Sequence, residues 1–136
     1  NKTIQASFTY TDIDDLDANY WNKETFEKGK KIISKNLSEF NNLSQKYDFN
    51  IFLVAYPWFE TIEFGQDKFN WSKFLKSLCN SENCKTIDTF GKFIEYKKNN
   101  KNWVLDLYFL NDVHFNENGS KVFAKMIIDE IKEYNK

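Results

Sequence analysis

Apolar positions recur with a helical period at both ends of the chain and gather into short runs in the middle. Between residues 23 and 47, Phe26, Ile33, Leu37, Phe40 and Tyr47 fall on one face, with Lys and Glu covering the other. That spacing predicts a long amphipathic helix over 23–47. Gly29 is its weak point, costing about 1 kcal/mol relative to alanine. Ile51-Phe52-Leu53-Val54-Ala55-Tyr56 is a continuous apolar run followed by Pro57. It predicts a strand over 50–56 buried on both faces, as in a parallel sheet under helices. Proline has no N–H and ends the ladder, so 58–65 reads as a loop. Asn70 is a predicted N-cap for a helix carrying Trp71, Phe74, Leu75 and Leu78 at helical spacing.

Further on, Lys85-Thr86-Ile87-Asp88 predicts a short strand, and Phe90, Phe93 and Ile94 a helical turn or two. The polar run 97–102 reads as a surface loop, and Trp103–Leu110 as an apolar segment extended in part. Asn116 is a predicted N-cap for a last helix whose buried face is Val122, Phe123, Met126, Ile127 and Ile131, with Met126 as core filling. Residues 1–22 have no clear period and read as an irregular lead-in. The acidic stretch Asp12-Ile13-Asp14-Asp15-Leu16-Asp17 lacks the Gly and Glu of an EF-hand loop and reads as a solvated segment entering the first helix. Helices alternating with short strands predict an α/β layer fold with a small parallel sheet, in a single domain over 1–136. Two strands, or three if Trp103–Leu110 joins them, make a thin sheet for four helices. An N-terminal half would complete it.

Composition narrows the function classes. Nineteen basic and twenty acidic residues leave a net charge of −1. No basic stripe of the kind phosphate backbones demand is present, so no nucleic-acid partner is expected. No apolar run reaches the roughly 20 residues of a membrane helix. The chain opens at Asn1 rather than Met, and reads as processed or cut from something longer. Aromatic residues make up 18%; they read as core, with a stacking surface for sugars or bases as the alternative. Cys79 and Cys84 are spaced C-x4-C with no second pair, which argues against zinc. A short-loop disulfide is the preferred reading and favours an extracytoplasmic compartment; two free thiols are the alternative. No metal and no cofactor are expected.

The candidate chemistry lies in Asp112-Val113-His114-Phe115-Asn116-Glu117-Asn118-Gly119. His114 is the only histidine. A carboxylate two residues before it can orient the imidazole, fix its tautomer and stabilise the imidazolium. Such an imidazole is suited to take a proton from a hydroxyl nucleophile.

From Asn111 to Ala124 the sequence resembles the last block of the SGNH (GDSL-type) hydrolases, in which an Asp and a His precede the C-terminal helix, often with an Asn and a Gly after them. Here these are Asp112, His114, Asn116 and Gly119. Tyr56-Pro57-Trp58 is similar to the strand end and proline loop that precede this block in many members. The segment Trp71…Cys79…Cys84…Ile87-Asp88 is similar to the region between them in some bacterial members, so the resemblance spans 23–136. It implies the C-terminal half of a flavodoxin-like three-layer α/β/α fold, with His114 as general base and Asp112 as its orienting acid. The family spacing is D-x-x-H, which would put Asn111 at the acid position. The shorter D-x-H found here occurs in the alginate-type O-acetyltransferase relatives. The family's Gly-Asp-Ser nucleophile block and its Gly-x-Asn-Asp block are absent. The resemblance therefore implies an esterase acting on a small ester, such as an acylated carbohydrate, with its nucleophile on a missing N-terminal segment and with the isolated chain nearly inactive. Trp58, at a strand's C-terminal end, is a candidate substrate-binding residue at the pocket rim. The alternatives are an O-acetyltransferase of the same superfamily, a non-catalytic binding module with a degenerate SGNH shell, and an unrelated small α/β domain in which Asp112 and His114 form only a helix-entry hydrogen bond.

Overall fold

The computed structural model describes residues 23–66, 69–110 and 112–134. The lead-in 1–22, with its acidic stretch, and Asn111 lie outside the described residues. The elements run α1 (Lys23–Tyr47), β1 (Ile51–Val54), α2 (Phe59–Phe64), α3 (Trp71–Leu78), β2 (Cys84–Ile87), α4 (Thr89–Asn99), α5 (Trp103–Leu107) and α6 (Glu117–Tyr134). This is a mixed helix–strand fold with a two-stranded parallel sheet, compatible with the α/β class. No helix among the described residues is long and apolar enough to cross a membrane. The chain divides into two compact units.

One unit holds α1, β1, α3 and most of β2. Asn70 caps α3 as its sequence predicts, its side chain accepting from Lys73 N at 2.7 Å. Cys79 and Cys84 are joined by a disulfide. The face that α1 buries differs from the expected one. Ile33, Phe40 and Tyr47 are exposed, whereas Asn41 and Ser44 are buried. The reason is a polar clasp. Asn41 Nδ2 donates to Leu78 O at 3.1 Å and to Asn80 Oδ1 at 2.9 Å, while Ser81 Oγ donates to Asn41 Oδ1 at 3.1 Å. Ser44 Oγ donates to Phe49 O, and Ile51 N donates to Asn83 O at 2.7 Å. α1 thus closes the end of α3 at Leu78 O and holds the side chains of Asn80 and Ser81 in the disulfide loop that leads into β2. Asn41→Ala strands a buried carbonyl and is expected to destabilise this unit by about 2 kcal/mol. Urea denaturation checks it through a lower midpoint at unchanged slope.

The second unit comprises the described parts of 56–66 and 87–134. Its core is Phe59, Ile62, Phe93, Trp103, Leu107, Tyr108 and Phe115, with Val122, Phe123 and Met126 of α6 packed against it. Segment 58–65 is not a loop: Phe59 and Ile62, one helical turn apart, are buried on α2. The surface loop expected at 97–102 begins late, because α4 continues to Asn99 and Lys97 pairs with Glu63 at 2.8 Å. Trp103–Leu110 supplies no third strand. Trp103 and Leu107, four residues apart, are buried on the short helix α5. Only Tyr108 has strand character, as an isolated antiparallel bridge to Phe115.

Candidate active site

Among the described residues, the groups that bond to the Asp112–His114 loop lie in the second unit. Asn116 holds the base of the loop. Its backbone N donates to Leu107 O at 2.9 Å, and its Oδ1 accepts from Gly119 N at 2.9 Å, capping α6. Its Nδ2 faces the carbonyls of Leu105, Asp106 and Tyr108 at 3.2, 3.0 and 3.3 Å. Two N–H bonds shared among three carbonyls are bifurcated, so one side chain closes α5 and opens α6. Gly119 lets the two helices meet. A Cβ there would lie 2.0 Å from Leu107 O and 2.8 Å from a Phe115 ring carbon.

Tyr56 clamps the other side. Its hydroxyl donates to Val113 O at 3.0 Å and accepts from Phe115 N at 2.5 Å. A phenol that both donates and accepts must stay neutral, and burial pushes its pKa above the ordinary tyrosine value. Tyr108 OH donates to Pro57 O at 2.5 Å, tying the residue after Tyr56 to the same core.

Between these fixtures, Val113 and Phe115 turn inward and are buried, and His114 turns outward. Asp112 Oδ1 accepts from His114 N at 3.1 Å, an Asx-turn geometry that fixes the carboxylate locally. The same oxygen lies 2.6 Å from His114 Nδ1. The bond to His114 holds the Asp112 carboxyl below the usual aspartate pKa, so it is ionised at neutral pH and can only accept. Nδ1 therefore carries the proton, and in the neutral ring Nε2 is left with a lone pair. The His114 side chain is 74% exposed, which presents that nitrogen to whatever docks there. The Asp112 carboxyl should accordingly titrate below the usual aspartate range. His114→Ala should raise that midpoint towards the ordinary value, as followed by carbon-13 NMR.

The structure thus brings Asp112 and His114 together. Trp58 is exposed and opens α2, its carbonyl accepting from Thr61 N at 3.1 Å, and among the described residues it makes no ring contact or hydrogen bond with the Asp112–His114 loop. The contact comes instead from Tyr56, which the sequence reading placed at the end of a buried strand. Among the described residues no serine hydroxyl bonds to His114, and no cluster of His, Cys, Asp or Glu is placed to hold a metal. No known protein family, characterised protein or solved structure matches the chain.

Proposed function

We propose that residues 23–136 are the C-terminal part of an SGNH-type ester hydrolase, in which His114 is the general base, Asp112 orients it, and a serine outside this chain is the nucleophile. The observation that carries the reading is the 2.6 Å contact between Asp112 Oδ1 and His114 Nδ1 on an exposed loop. It leaves Nε2 as the free base, the division of labour that a Ser–His–Asp mechanism requires. The loop sits at the entrance to the C-terminal helix, where the family keeps its Asp and His. A thin parallel sheet and an exposed apolar stretch on α1 fit a flavodoxin-like layer that continues in another segment.

In the proposed reaction the serine Oγ attacks the ester carbonyl as His114 Nε2 takes its proton. The imidazolium, held by Asp112, then delivers that proton to the departing alcohol. Water, deprotonated by the same nitrogen, releases the acid from the acyl-serine. Hydrolysis of p-nitrophenyl acetate by the polypeptide that carries this chain tests the reading. Equal rates for that protein and its His114→Ala variant contradict it, as does a natural product confined to these 136 residues.

A further inference from the structure

The His114 ring has little to aim it besides its own backbone. Its side chain is 74% exposed, so packing does not hold it, and the ring bonds to Asp112, two residues away on the same loop. The direction in which the ring leaves the chain follows from the φ and ψ of residue 114. Those two soft dihedrals relate the peptide plane before His114 to the plane after it. Val113 O lies in the first plane and Phe115 N in the second. Both bond to one atom from a distant part of the chain. The Tyr56 hydroxyl donates to Val113 O at 3.0 Å and accepts from Phe115 N at 2.5 Å. A single oxygen therefore ties together the two planes between which His114 turns. The other bonds of the loop do less. His114 N donates at 3.1 Å to Asp112 Oδ1, an acceptor on the same loop. Phe109 N donates to His114 O at 3.1 Å and anchors the second plane alone. The hydroxyl is itself held in place, because the Tyr56 ring packs on Phe115 and Phe123 with centroids 4.5 and 5.9 Å away.

We infer that Tyr56 is a positioning residue for the His114 base: its hydroxyl, bonded to both peptide planes that flank His114, keeps Nδ1 on the Asp112 carboxylate and Nε2 facing outward. This rests on the ester-hydrolase reading of His114. In that chemistry the base works as the Nδ1–H tautomer, with the Nε2 lone pair aimed at the serine. A loop free to turn at residue 114 lets the ring leave Asp112, take up the Nε2–H form and point elsewhere. A misplacement of about 1 Å costs on the order of a hundred-fold in rate.

Tyr56→Phe removes the hydroxyl and keeps the ring. In the 136-residue chain, the nitrogen-15 shifts of the imidazole, taken at a pH where the ring is neutral, report its tautomer. Wild type should show the Nδ1–H form, and the variant a mixture of both forms. In the polypeptide that supplies the nucleophile, the variant should lower kcat for p-nitrophenyl acetate by about a hundred-fold with KM unchanged. A residue that only stabilises the fold would leave the tautomer of the folded protein as it is. A second protein replaces Tyr56 by a fluorinated tyrosine, whose more acidic phenol keeps its proton at low pH and loses it as the pH rises. The phenolate cannot donate to Val113 O, so the tautomer ratio and kcat should turn with that ionisation. This reading stands even where Tyr56→Phe does not fold. An unchanged tautomer in folded Tyr56→Phe, an unchanged kcat where His114→Ala abolishes activity, or no response to the fluorophenol ionisation overturns the positioning role. The tautomer is read without hydrolysis. Hydrolysis that ignores His114→Ala, beside a tautomer that follows Tyr56, would overturn the ester-hydrolase reading and leave the clamp standing.

Discussion

His114→Ala, in the polypeptide that supplies the nucleophile, is expected to lower kcat for p-nitrophenyl acetate by about a million-fold. Losses of that size follow when a triad loses its base, since the residual rate comes from substrate binding and the oxyanion donors alone. KM should change little, because the imidazole acts on the transition state more than on the bound ester. Asp112→Asn should cost about ten-thousand-fold, for a different reason. The asparagine amide can donate to Nδ1, which shifts the ring proton to Nε2 and removes the lone pair that takes the serine proton. The two losses should not add, because both variants disable the same nitrogen. Stopped assays at saturating ester, on the single and double variants, check both points. An Asp112→Asn variant with wild-type kcat would mean that the 2.6 Å contact is only a turn.

Gly119→Ala is expected to be the most damaging small substitution in the second unit. The added methyl would lie 2.0 Å from the Leu107 carbonyl oxygen, which is backbone and cannot swing aside. Either α6 moves off α5 or the Asn116 bonds to Leu105, Asp106 and Tyr108 break. Overpacking of this kind costs about 3 kcal/mol, which corresponds to a fall in Tm on the order of 10 °C for a chain of this size. Gly29→Ala is the internal control. Nothing lies within 4 Å of a Cβ placed there in the middle of α1. That variant should gain about 1 kcal/mol from helix propensity. Thermal unfolding of the two variants side by side separates the steric effect from the propensity effect. A Gly119→Ala protein as stable as wild type would contradict the packing of α6 on α5.

How far the sequence could be read depended on which force set each element. α1, α3 and α6 were legible because long amphipathic periods and the capping side chains of Asn70 and Asn116 are local signals. The strand positions of β1 and β2 were legible from their apolar runs. The two short helices were not. α2 carries only one helical turn of buried spacing, Phe59 to Ile62, and its aromatic content is as common in loops and strands. α5 reads as extended from Trp103, Val104 and Tyr108, all good strand formers, and is helical because Trp103 and Leu107 pack into the same core. The apolar stripe of α1 misled for the opposite reason. Period identifies a helix but does not say that its apolar face is the buried one, and here Asn41 and Ser44 bind backbone that no local pattern announces.

At the candidate site, the pairing of Asp112 with His114 follows from their spacing, because a carboxylate two residues ahead reaches both the backbone N–H and the ring. The role of Tyr56 was hidden, since the contact spans 57 and 59 residues of chain. Asn116 was legible as a cap for α6, while its second task of closing α5 needed the three-dimensional approach of Leu105, Asp106 and Tyr108.

The proposed function requires a serine, outside these residues, that His114 makes nucleophilic. Fluorophosphonate labelling followed by peptide mass spectrometry measures that most directly, on the natural polypeptide and on its His114→Ala variant. One adduct is expected, on a serine outside these 136 residues, with near-complete loss of that adduct in the variant. Failure of any serine to label, or equal labelling with and without the His114 imidazole, would contradict it.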